Sequence, residues 1–220
     1  MKKLLTIAAL VGATSLSYGQ GYISFANASG TRFSTNSPSS NPGTGFTTVA
    51  AGTTGGQFYF ELFAAASTQN TISSTSDPTL SGWTAVHIAT NQPSGGRLYG
   101  NSEDGGNAAQ IPGFAAGSTA DFAVVGWSAS IGTSWAEAQA WWNNGAHNGS
   151  SASGYFGINT SVGNDIGLAN VGGPYNSIFG TVSGLINGWG LSYYAVPEPS
   201  TFALAGLGAA AMLIFRRRKV

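Results

Sequence analysis

The chain has 220 residues, 7% of them charged, a formal net charge of zero and no cysteine, which leaves room for one ordinary domain and excludes a disulfide scaffold or thiol chemistry. The neutrality is a property of the ends: Lys2, Lys3, Arg216, Arg217, Arg218 and Lys219 are terminal. Between residues 20 and 196 only Arg32 and Arg97 oppose seven carboxylates, a net of −5 with no lysine. That balance excludes the basic footprint of a nucleic-acid-binding domain, so no nucleic acid is expected as a partner.

In chain order, Met1-Lys2-Lys3 is a positive n-region, Leu4 to Val11 an apolar run, and Ser17-Tyr18-Gly19 a small-x-small cleavage site. Together they read as a secretory signal peptide over residues 1–19 that leaves Gln20 first. The body, residues 20–195, is poor in charge and rich in Gly, Ser, Thr, Asn and aromatics, the composition of β-strands joined by turn-rich loops. Gly21 to Asn27 alternates, with Ile23 and Phe25 on one face and a stop at Asn27. Thr31 to Gly56 reads as a long loop touched by an edge strand near Phe46 to Ala50. Gln57 to Ala64 is a strand buried on both faces, with Phe58, Phe60 and Leu62 opposite Tyr59, Glu61 and Phe63. After a polar loop at 67–81, Trp83 to Thr90 and Arg97 to Gly100 read as strands.

Asn101 to Asn107 is dense in oxygen ligands, and Asn101, Glu103, Asp104 and Asn107 are the types that hold calcium. The spacing does not fit an EF-hand, and the alternative is a solvated turn. Ala120 to Ser128 is the best-formed strand, with Phe122 and Val124 facing one way and Ala123, Val125 and Trp127 the other. Ser134-Trp135-Ala136-Glu137 is a capping box that opens a short helix to about Asn143, and Trp135, Ala138 and Trp142 form its packing face. Strands are expected again at 155–159, 165–169, 177–182 and 185–195. The predicted fold is all-β: an antiparallel β-sandwich or jelly roll with one short helix, plus the N-terminal signal peptide and a C-terminal membrane helix.

Residues 196–220 have three parts. Val196-Pro197-Glu198-Pro199-Ser200 is a rigid turn. Residues 201–215 form an uncharged apolar segment of about 22 Å, shorter than the hydrocarbon core of about 30 Å. Arg216, Arg217, Arg218 and Lys219 form a basic stop that holds the C-terminus in the cytoplasm. This order resembles the PEP-CTERM sorting signal of Gram-negative bacteria. The resemblance implies a substrate of the membrane protease-transpeptidase exosortase, with Pro197, Glu198 and Pro199 as the recognition element. It implies export through the inner membrane, transient anchoring by the C-terminal helix, and then a place at the cell surface or outside the cell. The body is also similar to short exported PEP-CTERM proteins with a G-x-I-x-F-x-N opening, which implies no activity.

No catalytic constellation stands out. The histidines are His87 and His147, no pair has metal-ligand spacing, and no G-x-S-x-G or phosphate-cradling Gly loop occurs. The carboxylates Glu61, Glu103, Asp104, Asp121, Glu137 and Asp165 are the only stock for a glycosidase-type pair. The expectation is therefore a non-enzymatic protein without cofactor or metal, an envelope or extracellular-matrix component. The alternative is a carbohydrate- or exopolysaccharide-binding module that uses its tryptophans, with Trp141, off the helix packing face, as the exposed ring for sugar stacking.

Overall fold

The computed structural model describes residues 19–39, 44–50, 53–69, 71–72, 80–143, 152–159 and 161–195, together with Leu207, Gly208 and Met212. The body is mostly β with one short helix. Its strands are β1 (Gln20–Ile23), β2 (Ser34–Thr35), β3 (Thr47–Thr48), β4 (Phe58–Ala66), β5 (Thr84–Asn91), β6 (Leu98–Tyr99), β7 (Ala109–Ala115), β8 (Thr119–Ser128), β9 (Gly154–Ile158), β10 (Gly163–Gly167) and β11 (Gly190–Tyr194). The helix, α1, spans Trp135–Asn143. Nine strands form one curled sheet in the order β3-β2-β11-β9-β8-β4-β5-β6, with β10 paired to β8 beyond β9, and β1 and β7 form a separate two-stranded ribbon. The strands thus divide into one large sheet and a ribbon, not into two sheets of similar size.

β4 and β8 are the axis. They pair antiparallel over their whole length, from Phe58 opposite Ser128 to Ala66 opposite Ala120. Alternation sends Phe60, Leu62, Phe122 and Val124 to one face and Phe63, Ala123, Val125 and Trp127 to the other, as the sequence predicts, and all eight are buried. Each of the large side chains among them taken out of water is worth about 1.5–3 kcal/mol. The first face is closed by the β1–β7 ribbon through Ile23 and Ile111, and by the segment carrying Ile178, Phe179, Ile186 and Trp189. The second is closed by α1 and by Leu80.

Helix α1 begins at the predicted capping box: the Glu137 N–H donates to Ser134 Oγ (3.4 Å), and the Ser134 N–H donates to Glu137 Oε2 (3.0 Å). Its buried residues are Ala138 and Trp141. At about 100° per residue, Ala138 lies at the centre of the inward arc, Trp141 to one side and Trp135 and Trp142 to the other. The packing face is therefore wider than the predicted one.

Long irregular segments must still satisfy their backbone groups, and five buried asparagines do much of this. Asn27 donates from Nδ2 to Thr31 O (2.8 Å) and Gly96 O (3.1 Å) and accepts the Leu98 N–H at Oδ1 (2.8 Å). Asn91 accepts the Phe58 N–H (2.9 Å) and donates to Thr54 O (3.0 Å). Asn101 accepts the Phe25 N–H (2.6 Å), and Asn159 donates to Asn187 O (3.1 Å). Asn36 accepts the Tyr193 N–H. A carboxamide carries one carbonyl and one NH2 group, so it can stand in for a peptide unit, with a second donor to spare, where no strand lies alongside.

Two expectations are corrected. The segment at 177–182 forms isolated bridges at Ser177 and Phe179 instead of a strand, and the last strand starts at Gly190 instead of 185. β7, where no strand was expected, contains Pro112 and Gly113. They fall in the bulge between the Ala115–Gln20 and Ile111–Gly21 pairs, where no ladder donor is required.

Candidate functional site

Three places carry the chemistry-bearing residues. The first is the exit of the C-terminal tail. β11 lies inside the sheet, antiparallel to β9 and parallel to β2. Its last residue, Tyr194, sits opposite Gly154 and packs against Trp142 with ring centroids 5.4 Å apart. Pro197 follows three residues later, a reach of at most about 10 Å in a fully extended chain. The residues expected to act in sorting, Pro197, Glu198 and Pro199, the basic stop Arg216 to Lys219, and the signal peptide to residue 18 lie outside the described residues. Gln20, the expected first residue after cleavage, begins β1. In the apolar segment Leu207 and Met212 are helical and exposed. Among the described residues, no helix is long and apolar enough to cross a membrane.

The second place is the loop after β6. The oxygens proposed as calcium ligands face different partners. Asn101 is turned inward to the Phe25 N–H. Glu103 accepts the Ser102 hydroxyl (2.8 Å) and the Gln110 N–H (3.3 Å). Asp104 accepts the Tyr175 hydroxyl and the Gly172 N–H (3.2 Å). Asn107 donates from Nδ2 to Asp104 O (2.9 Å). Among the described residues no group of three or more His, Cys, Asp or Glu side chains converges as a metal site would require. His87 reaches this loop, with Nε2 2.5 Å from Gly100 O, 3.4 Å from Ser102 Oγ and 3.9 Å from Glu103 Oε2. A carbonyl only accepts, so the nitrogen facing it carries the proton. Ser102 and Glu103 approach that same nitrogen, unlike a nucleophile–base–acid relay, which uses both ring nitrogens.

The third place is a groove of about 600 Å³ over β4 and β5, lined by Glu61, Ile88 and Trp135, with Ser134 and His87 at its rim. β6 pairs with β5 only at Thr90 and Asn91, so among the described residues the rest of that β5 edge has no paired strand. Glu61 is 8% exposed, and among the described residues no hydrogen bond or ion pair reaches its carboxylate. Burial pushes its pKa from about 4.5 up to about 8, so it is protonated and neutral at neutral pH. Asp121 is likewise buried and shifted upward, by burial first and the Asp165 charge in addition, against the opposing hydrogen bond from the Asp165 N–H at 2.6 Å. Among the described residues its Oδ2 has no partner.

Trp141 is not the exposed ring expected from the sequence. It is 8% exposed, its Nε1 donates to Ala152 O (2.8 Å), and it packs among Trp142, Phe156 and Tyr194. A stacking role there required an open face. Trp135, assigned to the packing face, is the half-buried ring that lines a groove. The signal for that groove was present in the sequence: Glu61 is the one charge in Phe58–Ala66, a strand apolar on both faces.

A β-rich body whose last strand leads directly into a proline-flanked tail has the organisation of a domain carrying a C-terminal address. Residues 195–219 match the family described as the PEP-CTERM protein-sorting motif, so the chain carries that motif immediately after β11. Comparison with curated proteins and with solved structures finds no match.

Proposed function

We propose that the chain is an exported, non-enzymatic envelope or extracellular-matrix protein, sorted by exosortase through its tail. The observation that carries the reading is the PEP-CTERM motif at 195–219, joined to the body with no intervening linker. The signal peptide 1–19 delivers the chain through the inner membrane, and the segment 201–215 with its basic stop anchors it there until processing. Because Pro197 stands within about 10 Å of Tyr194, the processing enzyme works against the surface of the folded body. The low charge, the absence of cysteine and a Ser/Thr/Asn-rich sequence suit a matrix component.

Intact-mass and terminal-peptide analysis of the native protein from separated membrane, surface and medium fractions tests this. The expected product starts near Gln20, ends near Pro197 to Pro199 and lies outside the inner membrane. A chain that keeps Arg216 to Val220 and stays in the inner membrane overturns sorting and makes the tail a plain anchor.

A further inference from the structure

We propose that the groove over β4 and β5 is a subsite for an uncharged pyranose unit of a polysaccharide, with Trp135 as its stacking wall and the Glu61 carboxyl as the hydrogen-bonding group at its floor. The inference concerns the body and does not depend on the sorting tail.

Burying a polar group away from protein partners costs free energy. Among the described residues nothing is hydrogen-bonded to the Glu61 carboxyl, which is 8% exposed and lines a groove open to solvent. A ligand hydroxyl there takes the place of water as its partner. A protonated carboxyl suits a hydroxyl because each can both donate and accept. Next to it, Ile88 (42% exposed), Ala85 and the half-buried Trp135 indole make an apolar wall. Apolar surface beside a few placed polar groups describes a small-molecule site, and about 600 Å³ falls within the usual range of about 300–1,000 Å³. A pyranose presents the matching pair of features, a face of C–H bonds and a rim of hydroxyls.

Charge excludes the other ligands. Neither Arg32 nor Arg97 lines the groove, so a uronate or phosphate has no guanidinium to meet there, and the His87 Nε2 that faces it is already turned to Gly100 O. A cationic ligand would have to ionise Glu61 inside the protein, at the desolvation cost that already keeps its proton on. The titratable groups on the elements packed near it are Tyr59 on β4, His87 on β5, Asp121 on β8, Glu137 on α1 and Glu103 in the loop after β6; among the described residues none is hydrogen-bonded to it.

The test uses the full chain purified in a zwitterionic detergent. The uncharged probes are maltohexaose, cellohexaose and laminarihexaose; trigalacturonate and glucosamine are the charged controls, and titration calorimetry reads binding. At least one uncharged hexamer binds near pH 6 and weakens about tenfold or more by about pH 9.5, as Glu61 loses its proton. Glu61→Gln keeps the affinity and loses the pH dependence. Trp135→Phe, which keeps a ring against Phe63, weakens binding severalfold, and Trp135→Ala weakens it further. Failure of the wild-type chain to bind any uncharged hexamer overturns the proposal. Binding that Glu61→Gln leaves equally pH-dependent, or stronger binding of trigalacturonate or glucosamine, also overturns it.

Discussion

Asn36 Oδ1 accepts the backbone N–H of Tyr193 at 2.6 Å, joining residues 157 positions apart in the chain. β2 pairs with β11 only at Ser34 and Thr35, opposite Gly190 and Leu191. The Asn36 side chain extends that pairing to the end of the strand from which the sorting tail leaves. Asn36→Ala removes the acceptor and leaves the Tyr193 N–H without it, a loss of about 1–2 kcal/mol. Hydrogen exchange at Tyr193 should quicken more than exchange at Val124 in the sheet centre. Equal quickening at both amides would show that Asn36 supports the whole fold and not this strand end.

Asn27 is the more costly asparagine to lose. Truncation strands the Leu98 N–H and withdraws a donor from the carbonyls of Thr31 and Gly96, all in the buried junction where the β1 segment meets β6. Asn27→Ala is expected to destabilise by about 3 kcal/mol or more, measured by urea unfolding. Asn27→Asp keeps the acceptor but not the donors and should be nearly as harmful.

Close approach of backbones fixes one glycine. A Cβ on Gly157 of β9 would lie 2.6 Å from Gly190 O of β11 and 3.1 Å from the Leu191 side chain. The first contact is with backbone in a paired strand and has no rotamer to relieve it. Gly157→Ala should cost about 2 kcal/mol or more. By contrast, Gly105→Ala, where the nearest group is an asparagine side chain at 3.7 Å, suffers only the strain of its φ of 67°.

Glu61 predicts an unusual pH response. Its folded pKa is raised, so the folded chain holds a proton that the unfolded chain releases above about 4.5. Its contribution to stability is fully present below about pH 4.5 and is lost as pH rises through about 8, by up to about 5 kcal/mol. Asp121 adds a slope of the same sign. Thermal melts of the wild type should fall between pH 5 and pH 9, and Glu61→Gln should flatten most of that decline. An unchanged slope in the variant would place the effect at Asp121.

The two axial strands were legible because Phe58–Ala66 and Thr119–Ser128 carry large apolar residues on both faces, and the helix because its cap is local chemistry. β3, at Thr47–Thr48, lies within the edge strand expected near Phe46 to Ala50, whereas β2 is only two residues long and pairs with β11 far along the chain, which no local pattern records. β7 hid behind Pro112 and Gly113, because a bulge tolerates both residues that ordinarily end a strand. The segment at 177–182 read as a strand because Ile178 and Phe179 have to be buried, yet they fill the first core from a loop. The misplaced tryptophan has the same origin. Trp141 and Trp142 are adjacent, and which of them turns inward depends on how α1 is rotated against Phe156 and Tyr194, a tertiary fact.

The position of β11 also bears on mechanics. A pull applied to the tail enters the sheet along a strand with neighbours on both sides, β9 and β2. Its hydrogen bonds to β9 run across the direction of that pull, so they resist together in shear, whereas bonds at a free edge would open one after another like a zipper. Resistance to such a load is set by the rate of unfolding rather than by equilibrium stability.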